Sequence, residues 1–267
     1  MPQIDYHAPL KVLVAVRGHP FDRNAFDGLF AGMSGISATM VDQPAAALLI
    51  NPQGMADFDA LVLYDMPGLD FAASENPPAS VAPPEALRQG LPALLRQGKG
   101  VVALHHALAG WPGWAEYHDW LGGQFLYRGG AAGGGQWPCS GYRHDVTHEV
   151  EVLANHPVTA GLPPRFTLTD ELYLCPVWAE AQGATPLLRS HAPFTTDHFW
   201  SAELAVAGRM FCRDGWQHPP GSGLVGWARQ VEAAKLVYLQ PGDGPETYAN
   251  PHYRQLVENA IRWVAQR

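Results

Sequence analysis

The stretch Lys11–Arg17, KVLVAVR, followed by Gly18, decides the fold class of this chain. A continuous run of apolar and β-branched residues is typical of a parallel strand buried on both faces of a sheet. The next segment, residues 21–33, carries apolar side chains at the spacing of a helix that lies on a sheet. A strand followed by a helix of this kind predicts an α/β protein.

The pattern continues along the first hundred residues. Strands are predicted at Ile36–Val41, Asp57–Asp65 and Gly100–Leu104, and a helix at Pro84–Gln97 ends before Gly98. The order β-α-β-β-α-β predicts a mostly parallel sheet with right-handed crossovers and helices on both faces. We expect residues 1–267 to form one such domain.

The second half of the chain is less regular. Two segments are predicted as loops, the proline-rich excursion Ala72–Pro84 and the glycine-rich stretch Gly122–Gly141. A terminal helix begins at Asn250-Pro251. Further strands are predicted at Arg143–Leu153, Pro186–Arg189, Leu204–Cys212, Gly223–Gln230 and Lys235–Gln240.

Composition excludes several classes of protein. The 267 residues carry 17 Lys+Arg and 25 Asp+Glu, a net charge of −8, so binding of nucleic acid is not expected. Apolar residues make up 47% and charged residues 16%, which excludes a disordered chain. No apolar run approaches the about 18 residues of a membrane span, and MPQIDYHAPLK lacks a signal-peptide pattern, so a cytoplasmic location is predicted.

The cysteines do not predict a site. Cys139, Cys175 and Cys212 are odd in number and form no C-x-x-C pair, so neither a disulfide framework nor a thiolate zinc site is indicated. We expect reduced and mostly buried thiols.

Polar clusters follow four of the predicted strands. They are Arg17–Arg23, Tyr64-Asp65, His105-His106 and Pro241–Tyr248. Because the carboxyl ends of parallel strands share one crevice, we expect these clusters to converge on a ligand. His105 and His106 would point in opposite directions on a continuing strand, so at most one is expected to face the ligand. Each is a candidate general base, metal ligand or structural histidine.

Other polar residues divide into site candidates and structural ones. Glu171 and Tyr173 lie two apart on an extended segment and predict a site role. His156, at the start of a predicted loop or helical turn, is either a helix cap or a site residue. His144 and His148 share an even spacing along a predicted strand and are interpreted as surface residues on one side of it.

Common catalytic motifs are missing from the sequence. G-x-S-x-G and H-E-x-x-H do not occur, which disfavours a serine hydrolase and a zincin. A divalent metal such as zinc, held by His19, His105, His156 and an acid, stays an alternative because imidazole and carboxylate suit such an ion.

Several segments, taken together and in order, resemble ThuA-like proteins, the trehalose-utilisation family. The segments are RGHPFDRNAF, DFDALVLYDMPG, GVVALHHA, WLGGQF, NHPVTAGLP, TDELY and DGPETYANPHYRQLVENAIRWVA, and they span residues 11–266. The resemblance implies a class I glutamine amidotransferase-like fold with a flavodoxin-like α/β core. It places His105 where glutaminases carry their nucleophilic cysteine, and Asp243 and Glu246 where they carry a histidine and a glutamate. Without a thiolate there, we expect no glutaminase activity.

The predicted function is general acid–base chemistry on a hydroxylated small molecule, with an oxidised sugar or glycoside as the first candidate. The alternatives are a carbon–carbon lyase acting on a hydroxylated aromatic compound and a non-catalytic sugar sensor. No cofactor is predicted beyond the alternative of a divalent metal. The predicted partner is a small-molecule substrate, and the sequence does not decide whether the chain forms a homodimer. The predicted catalytic residues are His105, His106, Glu171 and Asp243; the predicted substrate-binding residues are His19, Asp22, Asp65, His156, Tyr173, Glu246 and Tyr248.

Overall fold

The computed structural model describes residues 7–72 and 78–266. Its strands are β1 (Leu10–Val16), β2 (Ile36–Asp42), β3 (Ala60–Leu63), β4 (Leu69–Asp70), β5 (Ala79–Ser80), β6 (Gly100–Leu104), β7 (Gly130–Ala132), β8 (Gly135–Trp137), β9 (Gly141–Val152), β10 (Arg165–Leu174), β11 (Thr185–Ser190), β12 (Trp200–Ser201), β13 (Leu224–Val231) and β14 (Ala234–Leu239). Its helices are α1 (Arg23–Ala31), α2 (Ala45–Leu49), α3 (Glu85–Arg96), α4 (Ala115–Leu121), α5 (Ala202–Val206), α6 (Pro245–Ala249) and α7 (Pro251–Ala265).

One large sheet organises the molecule, in the order β10-β9-β11-β13-β14-β6-β3-β1-β2. The segment from β14 to β2 is parallel throughout, and it is extended by antiparallel strands from β13 to β10. The predicted α/β class is therefore confirmed. The extension matters for function because it brings β10 and its polar residues to the same crevice as β6 and β14.

Helices cover both faces of this sheet, as predicted. Alternate residues of β1 divide between the two faces: Val12, Val14 and Val16 pack with α1 and α7, whereas Leu13 and Ala15 pack with α2, α3 and α4. Each face therefore has its own apolar core, and the parallel strands are buried on both sides. This burial holds the carboxyl ends of the strands in place.

Capping residues fix where two of the helices begin. Asp22 caps α1 by accepting a hydrogen bond from the Ala25 amide at 2.9 Å. Asn250 caps α7 by accepting from the amides of His252 and Tyr253, with Pro251 in the first helical position. Side-chain oxygens at these positions satisfy amides that the helix itself leaves unpaired. Asp22 thus has a structural role in this fold.

Three predicted segments differ in the structure. The expected strand Leu204–Cys212 is instead the end of α5 and the turns after it, because Ser201 accepts from the Leu204 amide and starts a helix. Residues 165–168, predicted as loop, begin β10, which pairs with β9 along its length. The glycine-rich loop Gly122–Gly141 contains the β7-β8 hairpin, closed by two glycines with positive φ.

A bulge in β9 separates two histidines that the sequence places on one side. Asp145 has φ 55°, and the pairing with β10 shifts between Asp170 and Leu172. The extra residue in β9 reverses the alternation of side chains. His144 therefore points to the same face as Tyr142, whereas His148 points to the opposite face and is buried there.

The burial of His148 predicts acid sensitivity. Desolvation lowers its pKa to about 4, and its Nδ1 hydrogen-bonds Ser190 at 2.8 Å. The unfolded chain binds a proton at this residue below pH about 6.5, so the free energy of unfolding falls as the pH drops from about 6.5 towards 4. In His148→Gln, we expect the free energy of unfolding to change less steeply with pH, by up to about 1.4 kcal/mol per pH unit. Urea unfolding between pH about 4 and about 6.5 measures this slope. His198→Gln, on an exposed turn, is the matched control; an unchanged slope in His148→Gln would contradict the prediction.

Some predictions fall wholly or partly outside the described residues. Residues 1–6 hold most of the N-terminal segment, and residues 73–77 hold part of the predicted excursion Ala72–Pro84, whose flanks pair as β4 and β5. Cys139 and Cys175 are buried and Cys212 is partly buried, all as free thiols, as expected. Among residues 7–72 and 78–266, no helix has the length and apolar character needed to cross a bilayer.

Candidate functional site

Three strand ends bring their polar residues together at one edge of the sheet. His105 follows β6, Asp243 follows β14 and Glu171 lies within β10. The Nε2 atom of His105 is 2.9 Å from Glu171 Oε2 and 3.8 Å from Asp243 Oδ1. The predicted convergence of these three residues is therefore present in the structure.

The backbone at His105 turns sharply out of β6. Its φ is 32°, in the left-handed region that a histidine rarely adopts. The turn lets the ring lie under Tyr173, with centroids 4.4 Å apart, while Nδ1 donates a hydrogen bond to the Gln240 carbonyl. A strained residue at this position indicates that the surrounding contacts hold the ring in place.

Both nitrogens of His105 therefore face hydrogen-bond acceptors. Burial alone would lower the pKa of this ring, but the Glu171 hydrogen bond and the charges of Glu171, Asp243 and Asp170 raise it to about 9. His105 is thus an imidazolium at neutral pH and a poor general base. Its fully buried position makes it a positioning residue behind the Glu171 carboxylate.

A buried carboxylate fixes the turn after β14. Asp170 accepts hydrogen bonds from the amides of Gly242 at 2.6 Å and Asp243 at 3.0 Å. Gly242 has φ 135°, and a Cβ there would lie 2.4 Å from the Tyr253 hydroxyl, so only glycine fits. Burial raises the pKa of Asp170 to about 6, although these amides and the charge of His105 oppose the shift.

Asp243 lies at the centre of four histidines. Its Oδ1 is 3.8 Å from Nε2 of both His105 and His106, and its Oδ2 is 3.8 Å from His144 Nδ1. Burial would raise the pKa of Asp243, but the hydrogen bond from His144 and the charges of His105, His144 and His19 hold it below its usual value. This side chain stays a carboxylate at neutral pH.

His106 and His19 contact each other beside Asp243, with ring centroids 4.3 Å apart and ring planes tilted by 42°. His106 is 1% exposed, and its Nδ1 lies 3.3 Å from the Tyr173 hydroxyl, while its Nε2 has no hydrogen-bond partner in the part of the chain that the structure describes. His19 donates from Nδ1 to the Pro20 carbonyl at 2.8 Å. Burial lowers the pKa of both rings. Neighbouring histidines add to this effect for His106, whereas the charges of Glu171 and Asp243 oppose it for His19.

A cavity of about 290 Å³ opens on the outer side of this cluster. Its polar wall is formed by His19, His144, Glu171 and Tyr173. The rest of the lining is apolar and aromatic and comprises Met66, Phe71, Phe125, Tyr127, Tyr142, Ala202, Ala205, Val206, Gly208 and Met210. A small molecule with one polar and one apolar end fits such a cavity.

Two further tyrosines lie beside the backbone of Asp243. The hydroxyls of Tyr64 and Tyr248 lie 2.5 Å apart, and Tyr248 donates to the Asp243 carbonyl at 2.7 Å. Tyr248, predicted to bind substrate, is fully buried and instead holds the Asp243 backbone. Burial raises the pKa of both hydroxyls, so they stay protonated.

Four predicted site residues lie away from the cluster. Asp22 caps α1, and Glu246 is exposed in the first turn of α6. Asp65 is buried and accepts from Gln43 at 2.7 Å. His156 accepts a hydrogen bond from the Val158 amide and packs on Trp263 at the opposite end of the sheet. The prediction that His156 could bind a metal together with His105 is therefore wrong.

His144 is the site residue that sequence reasoning misses. Its side chain is 30% exposed, and its Nε2 lies 3.6 Å from Glu171 Oε1. The hydrogen bond with Asp243 raises its pKa against the effect of burial. The only signal in the sequence is Asp145, because aspartate tolerates the positive φ of a bulge better than most residues do.

Two groups of side chains have the composition of a metal site. One consists of His19, His106 and Asp243, and the other of His105, Glu171 and Asp243. Within each group, one donor atom per residue lies within 4.8 Å of the others. In the second group the imidazolium of His105 has no free lone pair, so the first group fits a cation better.

Comparison with known proteins gives one family. The model of the ThuA family, described as trehalose utilisation, matches residues 13–264. No match was found among curated proteins.

Similar solved structures share the fold at low sequence identity. A ThuA-like protein from Parabacteroides merdae superposes with a TM-score of 0.64 at 13% identity, over 97% of this chain and 90% of that one. A ThuA-like protein from Bacteroides uniformis has a TM-score of 0.57 at 18% identity, over 99% and 95%. A glutamine amidotransferase from Thermotoga maritima has a TM-score of 0.52 at 13% identity, over 98% and 100%.

Proposed function

Because this chain belongs to the ThuA family, trehalose utilisation, over residues 13–264, we propose that it is an enzyme that cleaves an oxidised sugar glycoside by general acid–base catalysis. The observation that carries the proposal is the position of Glu171 on the cavity wall, between His105 Nε2 at 2.9 Å and His144 Nε2 at 3.6 Å. The family supports a role in sugar metabolism, and the geometry supports the chemistry.

Glu171 is the proposed general base. Its carboxylate lines the cavity on one side and contacts the buried imidazolium of His105 on the other. The hydrogen bond from His105 engages Oε2 and leaves Oε1 facing His144. A sugar ketone acidifies the hydrogen on the neighbouring carbon, and a carboxylate at this position can remove that proton.

His144 is the proposed general acid. Asp243 and Glu171 raise its pKa, which favours the protonated ring, and its side chain is partly exposed on the cavity wall. An imidazolium at this position can protonate a leaving oxygen. Glu171 and His144 are adjacent, so the proton that Glu171 takes up can pass to the His144 ring after each cycle.

The proposed reaction is an elimination. Glu171 takes the proton from the carbon next to the ketone, and the electron pair of that bond moves onto the carbonyl oxygen. The pair then returns to form a carbon–carbon double bond as the glycosidic carbon–oxygen bond breaks, and the leaving oxygen takes the proton of His144. No oxidant is consumed, because the ketone is already present in the substrate.

We expect His144→Gln to separate the two steps. The variant retains the base, so exchange of the hydrogen next to the ketone with deuterium in the solvent should continue. Release of the alcohol should fall by about 10²-fold because no acid protonates the leaving oxygen. Proton NMR of a keto-glycoside in D₂O measures both events in one sample.

A matched control is His198→Gln on an exposed turn, where the histidine bonds only Thr195. Equal loss of exchange and cleavage in His144→Gln would contradict its role as the acid. A leaving group that needs no protonation, such as nitrophenolate, should restore cleavage in the variant.

The aromatic lining of the cavity favours a second candidate, a carbon–carbon lyase acting on a hydroxylated aromatic compound. Phe125, Tyr127, Tyr142 and Tyr173 line the cavity and suit a planar ring. Turnover of aryl diols but not of keto-glycosides would favour this candidate. Binding of either class without turnover would favour a sensor, and His105→Ala would then change affinity alone.

A further inference from the structure

His19 and His106 have no role in the acid–base scheme, and Asp243 enters it only through its effect on the pKa of His144. The donor atoms of these three side chains lie within 4.8 Å of one another. His106 is 1% exposed, and its Nε2, 3.8 Å from Asp243 Oδ1, has no hydrogen-bond partner among residues 7–72 and 78–266. A buried nitrogen without a partner is costly unless it meets a ligand.

The other nitrogens of the two histidines are already engaged. His19 donates from Nδ1 to the Pro20 carbonyl at 2.8 Å, and His106 Nδ1 lies 3.3 Å from the Tyr173 hydroxyl. Donation from Nδ1 to a carbonyl leaves Nε2 of His19 with its lone pair, and Nε2 of His106 has a lone pair in the tautomer whose Nδ1 donates to Tyr173. Histidines that bind metals are usually held in this way by an oxygen on their second nitrogen.

The charge states of the three side chains are also those of metal ligands. His19 and His106 have lowered pKa values, mainly through burial, so both are neutral imidazoles. Asp243 has a lowered pKa and is a carboxylate, 24% exposed toward the solvent side. Two neutral imidazoles and one carboxylate are a common ligand set for zinc and related divalent ions.

We propose that His19, His106 and Asp243 bind one divalent transition-metal ion of the zinc type beside the Glu171–His144 pair. Three protein ligands leave at least one coordination position for water or substrate. His19 also lines the cavity, so that open position faces the substrate. Bound there, the ion would supply electrophilic stabilisation to a substrate oxygen. This inference rests on the proposed function only for the identity of the substrate, since metal binding is measured without it.

Titration of the metal-free protein with Co²⁺ tests the proposal. Visible absorption reports the ion in a protein site, and calorimetry reports its stoichiometry. We expect one ion per chain for the wild-type protein. His19→Ala and Asp243→Asn should weaken binding by at least ~10-fold, since even residues that only support metal ligands have effects of this size. His19 is only partly buried, so its replacement should leave the fold intact, which circular dichroism verifies.

Two control variants separate this site from its neighbours. His191→Ala removes a histidine that pairs with Glu151 at 3.0 Å outside the cluster, and it should bind Co²⁺ as the wild type does. Glu171→Gln should keep the ion while losing turnover. Absence of stoichiometric Co²⁺, binding that is unchanged in both His19→Ala and Asp243→Asn, or loss of binding in Glu171→Gln alone would each overturn the proposal. Turnover failing while Co²⁺ binds as expected would overturn the proposed function instead.

Discussion

Replacing Glu171 with glutamine is expected to lower kcat by about 10²- to 10⁴-fold, the usual contribution of a general base. Glutamine has the volume of glutamate, and its carbonyl oxygen can still accept a hydrogen bond from His105 Nε2. The fold and substrate affinity should therefore change little, while no carboxylate remains to remove the proton. Deuterium exchange next to the ketone should be lost together with cleavage.

The exchange experiment distinguishes the role of Glu171 from that of His144, whose replacement should preserve exchange. Glu149→Gln is the matched control, because this exposed carboxylate pairs with Arg165 at 2.9 Å on the outer part of β9. Its rate should stay within about two-fold of the wild type, as for most surface substitutions. Wild-type exchange in Glu171→Gln would assign the base to another residue.

Replacing Asp170 with alanine is expected to reduce the free energy of unfolding by about 3 kcal/mol, because the amides of Gly242 and Asp243 lose their acceptor in a buried environment. Asp170 does not contact the cavity, so its effect on activity acts through the position of Asp243. We expect kcat to fall by about 10-fold or more, because small displacements of aligned groups are costly. Urea unfolding and the keto-glycoside assay measure the two effects.

The conservative variant Asp170→Asn separates positioning from stability. It keeps one oxygen for the turn and should recover part of the activity as well as part of the stability. Thr169→Ala is the matched control, since its hydroxyl bonds only Thr147 on the partly exposed side of β10. Loss of stability with unchanged kcat in Asp170→Ala would show that the position of Asp243 does not matter for turnover.

The histidine pair illustrates how far sequence reasoning reaches into the site. A polar pair directly after a buried strand predicts a position at the carboxyl edge, and the structure places His105 and His106 there. The prediction that at most one of the two rings faces the ligand leaves open which one, and that position does not decide it. Both rings are buried, and the bond of His105 to the Gln240 carbonyl depends on a strand 135 positions away.

His144 and His156 show two errors of prediction from the sequence: a site residue that was missed and a residue wrongly assigned to the site. His144 reaches Glu171 and Asp243 because a bulge at Asp145 reverses the side-chain alternation of β9. No spacing rule predicts the register of two antiparallel strands joined through a short helical turn. His156 has the residue type of a ligand, but capping geometry places it against Trp263, at the other end of the sheet.

The amino-acid sequence alone determined the order of strands and helices in the first half of the chain, the α/β class and the family, because apolar periodicity and short motifs are local properties. It also located the polar residues at strand ends, since parallel strands share one edge. Only the tertiary structure decided which of these side chains meet. Protonation states and the division between the base, the acid and the metal ligands depend on burial and on distances of a few ångströms between residues far apart in the chain.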